Sequence, residues 1–558
     1  MVRGLCGPGI VTLVGLLSTA GCSSSAPSKP APMSAATSIR LSQVEAIPTT
    51  VGAPEEILVT FDEPLDGTTV AGNVRLLAAR PGGQWVADPP IDVAWSATRP
   101  TEVRVRSRSG SRLPQGEEFH LVVGTGIRSA TGQALPEDLS GYFATDYDLV
   151  LGADGVPALG GERKAIFTIS DIHLGDSRAV ALGYGWTVKN RADLATFLGL
   201  VRQSPNVKEL VIAGDLLDEW VAPMQVRPFP AGTDEAGFVD DVARTNGDVF
   251  GALRALIGGG AVRVTYVPGN HDMLARSADI SRILPGIFQA RDAQGLGAYV
   301  PADHPQYVFE HGHRYDFFSS PDPISNRNIT RTDSILPPGF FVSKIASSHD
   351  AETNRAPGAL LSGTQDAGLA EYGLYWVAWQ AILLDRPVTE KHDVPVIETG
   401  IDGYEKTYAI DDLVPQLTLG GLDVVLYQGI ESSWYDRQEA NRVQVPVPKE
   451  MATAAAALGP LIDAEAGIQY FWNVASDKRV VVFGHTHESR VVPSFNLRLQ
   501  GTVYANSGTW VDRWSGYPTM TFVVIFPPRE GRVLTSVATY RYRPGLPPEK
   551  LDSAAFPE

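Results

Sequence analysis

Five short apolar runs beyond residue 160 each stop at a loop of aspartate, asparagine or histidine. Residues 165–169 lead to Asp171-Ile172-His173, and 210–213 lead to Gly214-Asp215-Leu216-Leu217-Asp218. Residues 262–267 lead to Gly269-Asn270-His271-Asp272, 307–310 to His311-Gly312-His313, and 479–483 to Gly484-His485-Thr486-His487. Short apolar runs bounded by turn residues read as buried strands, and helical stretches near 187–203 and 235–257 separate the first three. That alternation predicts a layered α/β domain. Further strands at 501–505, 519–526 and 533–541 follow without long helices, so the sheet is expected to be mixed. In layered α/β folds ligands gather beyond the carboxyl ends of strands. The five loops are therefore expected to converge on one site at one sheet edge.

The residue types in these loops suit metal ions. The carboxylate of Asp215 can bridge two cations. Asp171 and His173 lie one residue apart and can reach one ion from one loop, while Asn270 offers a neutral oxygen. His485 and His487 are also one residue apart, and each can serve a different ion. The two cysteines, Cys6 and Cys22, both lie at the extreme N-terminus, so thiolate ligands are excluded from this site. Nitrogen and oxygen donors without sulfur suit manganese, iron, zinc or a mixture. Two such ions about 3.5–4 Å apart clamp a phosphoryl group and hold a bridging hydroxide for in-line attack. Singly, Gly-Asp and Gly-Asn pairs mark turns. Together, in order and after strands, the loops hold six of the ten histidines, which points to a dinuclear centre.

Ser170-Asp171-Ile172-His173-Leu174-Gly175, the Gly-Asp-x-x-Asp of 214–218, Gly269-Asn270-His271-Asp272 and Gly484-His485-Thr486-His487 resemble the calcineurin-like metallophosphoesterases. The resemblance covers roughly 165–315 and 478–512. It implies one ion held by Asp171, His173, Asp215 and His487, and another held by Asp215, Asn270, His311 and His485. It places His271 beside the leaving group, with Asp215 and His271 the catalytic pair and Asp272 a supporting partner. Asp218 is expected to orient its loop, and His313 either contacts substrate phosphate or is structural. The segment Asn506-Ser507-Gly508-Thr509-Trp510 also resembles a family segment near the sheet edge, and supports the site without being a ligand. Gly214-Asp215-Leu216-Leu217-Asp218-Glu219-Trp220 and His311-Gly312-His313-Arg314-Tyr315-Asp316 are similar to the UDP-2,3-diacylglucosamine pyrophosphatase branch. That branch cleaves a lipid-linked sugar nucleotide diphosphate and carries a helical lid. This chain departs from it in its export signal, its extra β domain and its long insertion, which leaves the substrate open among lipid-linked, nucleotide and other phosphorylated molecules.

The remaining segments set the context. Arg3, the apolar stretch 9–17 and the small residues after it read as an export signal over 1–21. Ser18-Thr19-Ala20-Gly21-Cys22 resembles a bacterial lipobox, with Thr19 where that motif prefers leucine. It implies lipidation of Cys22 and attachment to the outer side of a membrane; the alternative is plain secretion with cleavage near Ala20. Residues 22–38, rich in Ser, Pro and Ala, form a tether. Residues 39–148 alternate apolar and polar positions (Ile57, Val59, Phe61; Val103, Val105; Phe119, Leu121, Val123) between turn signals. Their pieces VTFDEPLDGTTV, LPQGEEFHLVV and SATGQAL resemble bacterial Ig-like sandwich domains. Within the catalytic unit, 160–558, residues 318–476 interrupt the strand pattern and read as a helical cap or lid, with the apolar run Tyr372–Leu384 either packing on the body or lining a groove for acyl chains. A net charge of −17 leaves no basic footprint for nucleic acid. The competing function is a surface binding or adhesion lipoprotein in which the metal site is structural.

Overall fold

The computed structural model describes residues 41–558 apart from 48–55, 81–83, 88–90, 109–117, 145–148, 150, 155–162, 222–225, 228, 230–232, 327–329, 331–332, 353–393, 410–411, 413–414, 419–420, 425, 428–431, 456–458, 515 and 529–532. The export signal, the tether with Cys22 and the run Tyr372–Leu384 lie outside the described residues. Among the described residues no helix is long and apolar enough to cross a membrane.

The N-terminal region is built from β1 (Leu41–Ile47), β2 (Glu56–Phe61), β3 (Val74–Arg80), β4 (Gln84–Ala87), β5 (Ile91–Ser96), β6 (Arg99–Ser107), β7 (Glu118–Val123) and β8 (Leu139–Ala144). They form two four-stranded antiparallel sheets, β1-β2-β6-β5 and β4-β3-β7-β8. Alternation puts Ile57, Val59, Phe61, Val103 and Val105 of one sheet in a common apolar core with Val74, Leu76, Phe119, Leu121 and Val123 of the other. The Glu118 carboxylate ties this region to the rest of the chain by accepting the backbone N–H groups of Val533 and Leu534.

The body begins with β9 (Ala165–Ile169), α1 (Ser177–Ala181), α2 (Arg191–Gln203), β10 (Val207–Ala213), α3 (Glu235–Thr245), α4 (Gly247–Gly258), β11 (Arg263–Val267), α5 (Ser277–Ile283), β12 (Phe288–Gln289), β13 (Ala298–Tyr299) and β14 (Tyr307–Glu310). The segment expected as one helix over 235–257 breaks at Asn246. Its side-chain amide donates to the carbonyls of Gly175 and Val242, drawing the chain toward the first loop. Within 318–476 the described elements are α6 (Pro338–Glu352), β15 (Ile397–Glu398), β16 (Thr407–Tyr408), β17 (Pro415–Thr418), β18 (Gly421–Val424), α7 (Trp434–Ala440), α8 (Lys449–Ala455) and α9 (Gly459–Ala466). The chain finishes with β19 (Val480–Phe483), β20 (Arg490–Phe495), β21 (Gly501–Asn506), β22 (Thr521–Phe526), β23 (Leu534–Arg541) and β24 (Glu549–Pro557).

These strands make two stacked sheets. The first runs β12-β11-β10-β9-β22-β23-β24, with β9 to β12 parallel and β22 to β24 antiparallel. The second runs β13-β14-β19-β21-β20, with β14, β19 and β21 parallel. Ile166, Val211 and Val267 of the first sheet meet Phe309, Val480, Val482 and Val503 of the second in one core. The outer face of the first sheet, through Phe167, Leu210 and Ile212, packs on Leu194, Phe197 and Leu198 of α2 and Val249, Phe250 and Leu253 of α4. Strands buried on both faces are mostly apolar rather than alternating, which is why these runs are so plain in sequence.

The single sheet edge expected above is therefore an edge shared by two sheets. Three loops follow β9, β10 and β11 of the first, and two follow β14 and β19 of the second. Apolar runs mark strands but not which strands share hydrogen bonds. Two strands carried little sequence signal. The edge strand β20 mixes polar residues with Pro493, and β24 is a half-exposed edge strand. In the described residues of the expected helical cap, helices mix with the strand pairs β15-β16 and β17-β18. Phe340, Phe341, Tyr404, Trp434, Ile462 and Phe471 share the apolar core of the body, so these residues are built into it and do not stand off it as a lid.

Candidate metal centre

The ligand loops are bent sharply where the strands end. Nine non-glycine residues among those described have positive φ, and five of them are Asp171, His173, Asp215, His485 and His487. Such backbone costs about 1–3 kcal/mol per residue and collects at functional sites. The glycine before each ligand has a steric reason. A Cβ on Gly214 would overlap the His311 ring, one on Gly269 would overlap Asp215, and one on Gly484 would overlap Ser170 and Asp171. The Gly-Asp, Gly-Asn and Gly-His pairs are thus places where backbone must pass close to a ligand.

The bends aim the side chains at one another. His487 Nε2 lies 3.1 Å from His173 Nε2 and 3.2 Å from Asp171 Oδ1. Asp215 Oδ2 lies 3.6 Å from His173 Nε2 and 3.1 Å from His311 Nε2. His311 Nε2 lies 3.0 Å from Asn270 Oδ1, which lies 3.1 Å from His485 Nδ1. Donors about 2.1 Å from one tetrahedral cation stand roughly 3.4 Å apart, so these spacings fit donors around ions. Among the described residues three groups have ligand atoms within 4.8 Å of one another: Asp171, His173 and His487; Asp171, Asp215 and His311; and His173, Asp215 and His271.

The electrostatics argue the same way. Asp171 and Asp215 are fully buried, and among the described residues their charged partners are histidines, with no lysine or arginine. Burial pushes the Asp215 carboxyl up, but His311, His271 and His173 outweigh it and hold it well below its usual range. Asp171 is held down in the same way by His487 and His311. Two ionised carboxylates out of reach of water need cations.

Other contacts fix how each ligand faces. His311 Nδ1 donates to the Ala213 carbonyl at 2.8 Å, which leaves Nε2 for the site. His485 Nε2 donates to Asp316 Oδ2 at 3.2 Å, which leaves Nδ1 toward Asn270. Asp171 accepts from the Ser170 hydroxyl and from the His485 N–H. Asp215 Oδ1 accepts the His271 N–H at 2.8 Å. His271 Nδ1 donates to Asp218 Oδ1 at 3.0 Å, and its ring stacks on Trp220 at 4.5 Å and 27°. Asp218 also accepts the N–H groups of Trp220 and Val221, so it orients its loop as well as His271.

The structure gives two supporting residues particular partners. The Asp272 oxygens accept the N–H groups of Leu216 and Gly269, lashing the second and third loops together, while Asp218 meets the His271 ring. Spacing made Asp272 the neighbour of His271, whereas the fold brings Asp218 from the adjacent strand. His313 is buried beside His311 with Nε2 donating to the Gly295 carbonyl at 3.0 Å, a contact that suits the structural alternative. Asp316 and Trp220 were visible in the motifs but carried no assigned role. Trp186, 4.7 Å from His173, and Trp514, 4.2 Å from His487, also wall the site. Asn506 donates to the Gly484 carbonyl and to Thr486, holding the fifth loop.

Residues 165–373 match the calcineurin-like phosphoesterase family. That family uses divalent metals, and the match supports a phosphoesterase hydrolase; among the described residues, side-chain groups lie where they could hold metal ions. No curated protein matches the chain. Among solved structures, native alpha-2-macroglobulin of Escherichia coli (domains MG0-NIE-MG1) is 16% identical, covering 24% of this chain and 40% of that one, with a TM-score of 0.16. The S-layer protein rSbsC is 18% identical over 23% of this chain and 16% of that one, with a TM-score of 0.16. A structure described as a 5'-nucleotidase from Staphylococcus aureus is 9% identical over 70% of this chain and 54% of that one, with a TM-score of 0.20. The chain thus spans less than two thirds of the length of each.

Gly269→Ala in the phosphoesterase domain is expected to lose bound metal while keeping its fold, read as metal content beside an unchanged circular dichroism spectrum. A second outcome concerns Glu219, whose carboxyl faces Glu235 of α3. Burial and the facing carboxyl push Glu219 well above its usual range, and burial pushes Glu235 up to about 7. Both folded values are raised, so the pair favours the fold most in acid, and that contribution is lost as pH rises through about 7. Glu235→Gln should therefore raise the Tm relative to wild type near about pH 8 but not near about pH 5. Equal differences at both pH values would contradict this assignment.

Proposed function

We propose that residues 160–558 hydrolyse a phosphoester or diphosphate using two divalent cations. Asp171, His173, Asp215 and His487 would hold one, and Asp215, Asn270, His311 and His485 the other. The observation that carries this reading is the position of Asp215 Oδ2, 3.6 Å from His173 Nε2 and 3.1 Å from His311 Nε2. One oxygen faces both ligand sets, as a bridging carboxylate requires. All the donors are nitrogen or oxygen, which suits manganese first, with iron or zinc as alternatives. When bound, such ions polarise phosphoryl oxygens and lower the pKa of water.

The chain's own residues supply the rest. Asp218 anchors His271 Nδ1 and fixes how the ring faces, which leaves Nε2 for the departing oxygen. Trp220 stacked on that ring limits its rotation and keeps water from one face. Nothing in this machinery reads the leaving group. The similarity of 214–220 and 311–316 to the sugar-nucleotide pyrophosphatase branch favours a diphosphate carrying a lipid or nucleoside. In the same reading the N-terminal sheets are an Ig-like spacer, and Cys22 anchors the protein by acylation at the extracytoplasmic face of a bacterial membrane.

Nitrophenyl phosphate and bis-nitrophenyl phosphate test the chemistry. Activity should need manganese and disappear on chelation. Asp215→Asn should lose metal and activity together. His271→Ala should keep its metal and lose about 10²–10⁴-fold in kcat. Equal residual rates in all three proteins would sink the proposal. Cys22→Ser should move the chain from the membrane fraction to the soluble fraction, and retention on the membrane would overturn the anchor.

A further inference from the structure

The turn joining β20 to β21 presents a concentrated set of exposed apolar side chains. Phe495 is 62% exposed, Leu497 56% and Leu499 85%. Trp472 lies beside them, 52% exposed, its indole N–H donating to the Phe495 carbonyl at 3.2 Å. Val474, two residues further on, is 84% exposed. Soluble surfaces carry single exposed apolar residues without consequence, but a contiguous group on a protruding turn marks a binding surface.

The backbone here is arranged for an apolar medium. The N–H groups of Asn496, Leu499 and Leu497 donate to the carbonyls of Gln500, Asn496 and Phe471. Those of Arg498 and Gln500 both donate to the Asn496 side-chain oxygen at 3.0 Å. Every backbone donor from 496 to 500 is thus satisfied within the chain, which lowers the cost of leaving water. Leu499 holds φ +58°, a conformation suited to glycine or asparagine. A strained backbone carrying an apolar side chain into solvent gains the fold nothing.

Charge and strand chemistry choose the occupant. The chain has 63 acidic and 46 basic residues, yet 491–501 contains no acidic residue and one basic one, Arg498. The neighbouring Asp477 is paired with Lys478 at 2.6 Å. An apolar tip with a tryptophan at its base and an arginine able to reach outward suits the headgroup boundary of a bilayer, where indoles settle and cationic side chains meet phosphates. A second copy of the chain pairing along the edge strand β20 is opposed by Pro493, which has no N–H to donate in the middle of that edge.

We infer that the turn Phe495–Gln500, with Trp472 and Val474, is a membrane-docking tip that inserts its apolar side chains into the interfacial layer of a lipid bilayer. Its binding is apolar in origin and stands independently of acylation and of the metal chemistry.

The test uses the chain from residue 23, which lacks the export signal and Cys22 and keeps every described residue. It is sedimented with vesicles of phosphatidylcholine, and of phosphatidylcholine with phosphatidylglycerol. The wild-type chain should bind both, and binding should persist when salt is raised to about 0.5 M, where exposed charge–charge attraction is screened. Leu497→Asp and Leu499→Asp should each lower the bound fraction about tenfold, since charge opposes interfacial burial, with thermal unfolding unchanged. Failure of the wild-type chain to bind, binding abolished by salt, or variants that bind like wild type would each overturn the inference. So would a concentration-dependent dimer, seen by sedimentation without vesicles and lost in both variants, which would assign the tip to a second copy.

Discussion

The carboxylate of Asp215 is buried where two sheets meet, and most of the site is arranged around it. One oxygen faces His173 and His311, and the other accepts the His271 N–H. A carboxylate in this position cannot be solvated by water and has no arginine or lysine beside it among the described residues. Its charge must be met by cations or by protonated imidazoles, and the imidazoles come from both sheets. The stacking of the two sheets is therefore a requirement of the site as well as a way of burying Ile166, Val211, Phe309 and Val482.

The local cost of assembling this cluster is visible in the backbone. Asp171, His173, Asp215, His485 and His487 all hold positive φ, and Gly214, Gly269 and Gly484 leave no room for a side chain. The surroundings hold these bends. Asp272 joins the second loop to the third, Asn506 grips the fifth, and Ser170 and Thr509 secure the first. The strands beneath supply rigidity through apolar packing on both faces, which lets the loops at their ends hold this strain.

The insertion between β14 and β19 enters this scheme through packing. Phe340 lies edge-on to Trp220, which in turn stacks on His271, so α6 supports the ring proposed to act at the leaving group. Asp463 of α9 accepts from the Tyr504 hydroxyl and pairs with Arg490 at 2.9 Å, joining the insertion to the strands that carry the fifth loop. The apolar turn after β20 belongs to none of these networks. Its side chains face outward while its backbone is closed on itself, the reverse of the ligand loops.

The sequence by itself determined the strands that lead into the five loops and the donor residues those loops carry. The run 165–169 and the run 307–310 matched β9 and β14 residue for residue, because a strand covered on both faces is mostly apolar and does not alternate. It also showed the glycines, without showing that each stands against a ligand from another loop. Only the tertiary structure decided that the loops belong to two sheets, that Asp218 and not Asp272 serves His271, that Asp316 orients His485, and that His313 is buried support. Partnerships of this kind join residues far apart in the chain, such as Asp316 and His485, through strand order and sheet stacking. Local pattern records what each residue can bind, while packing chooses which neighbour it meets.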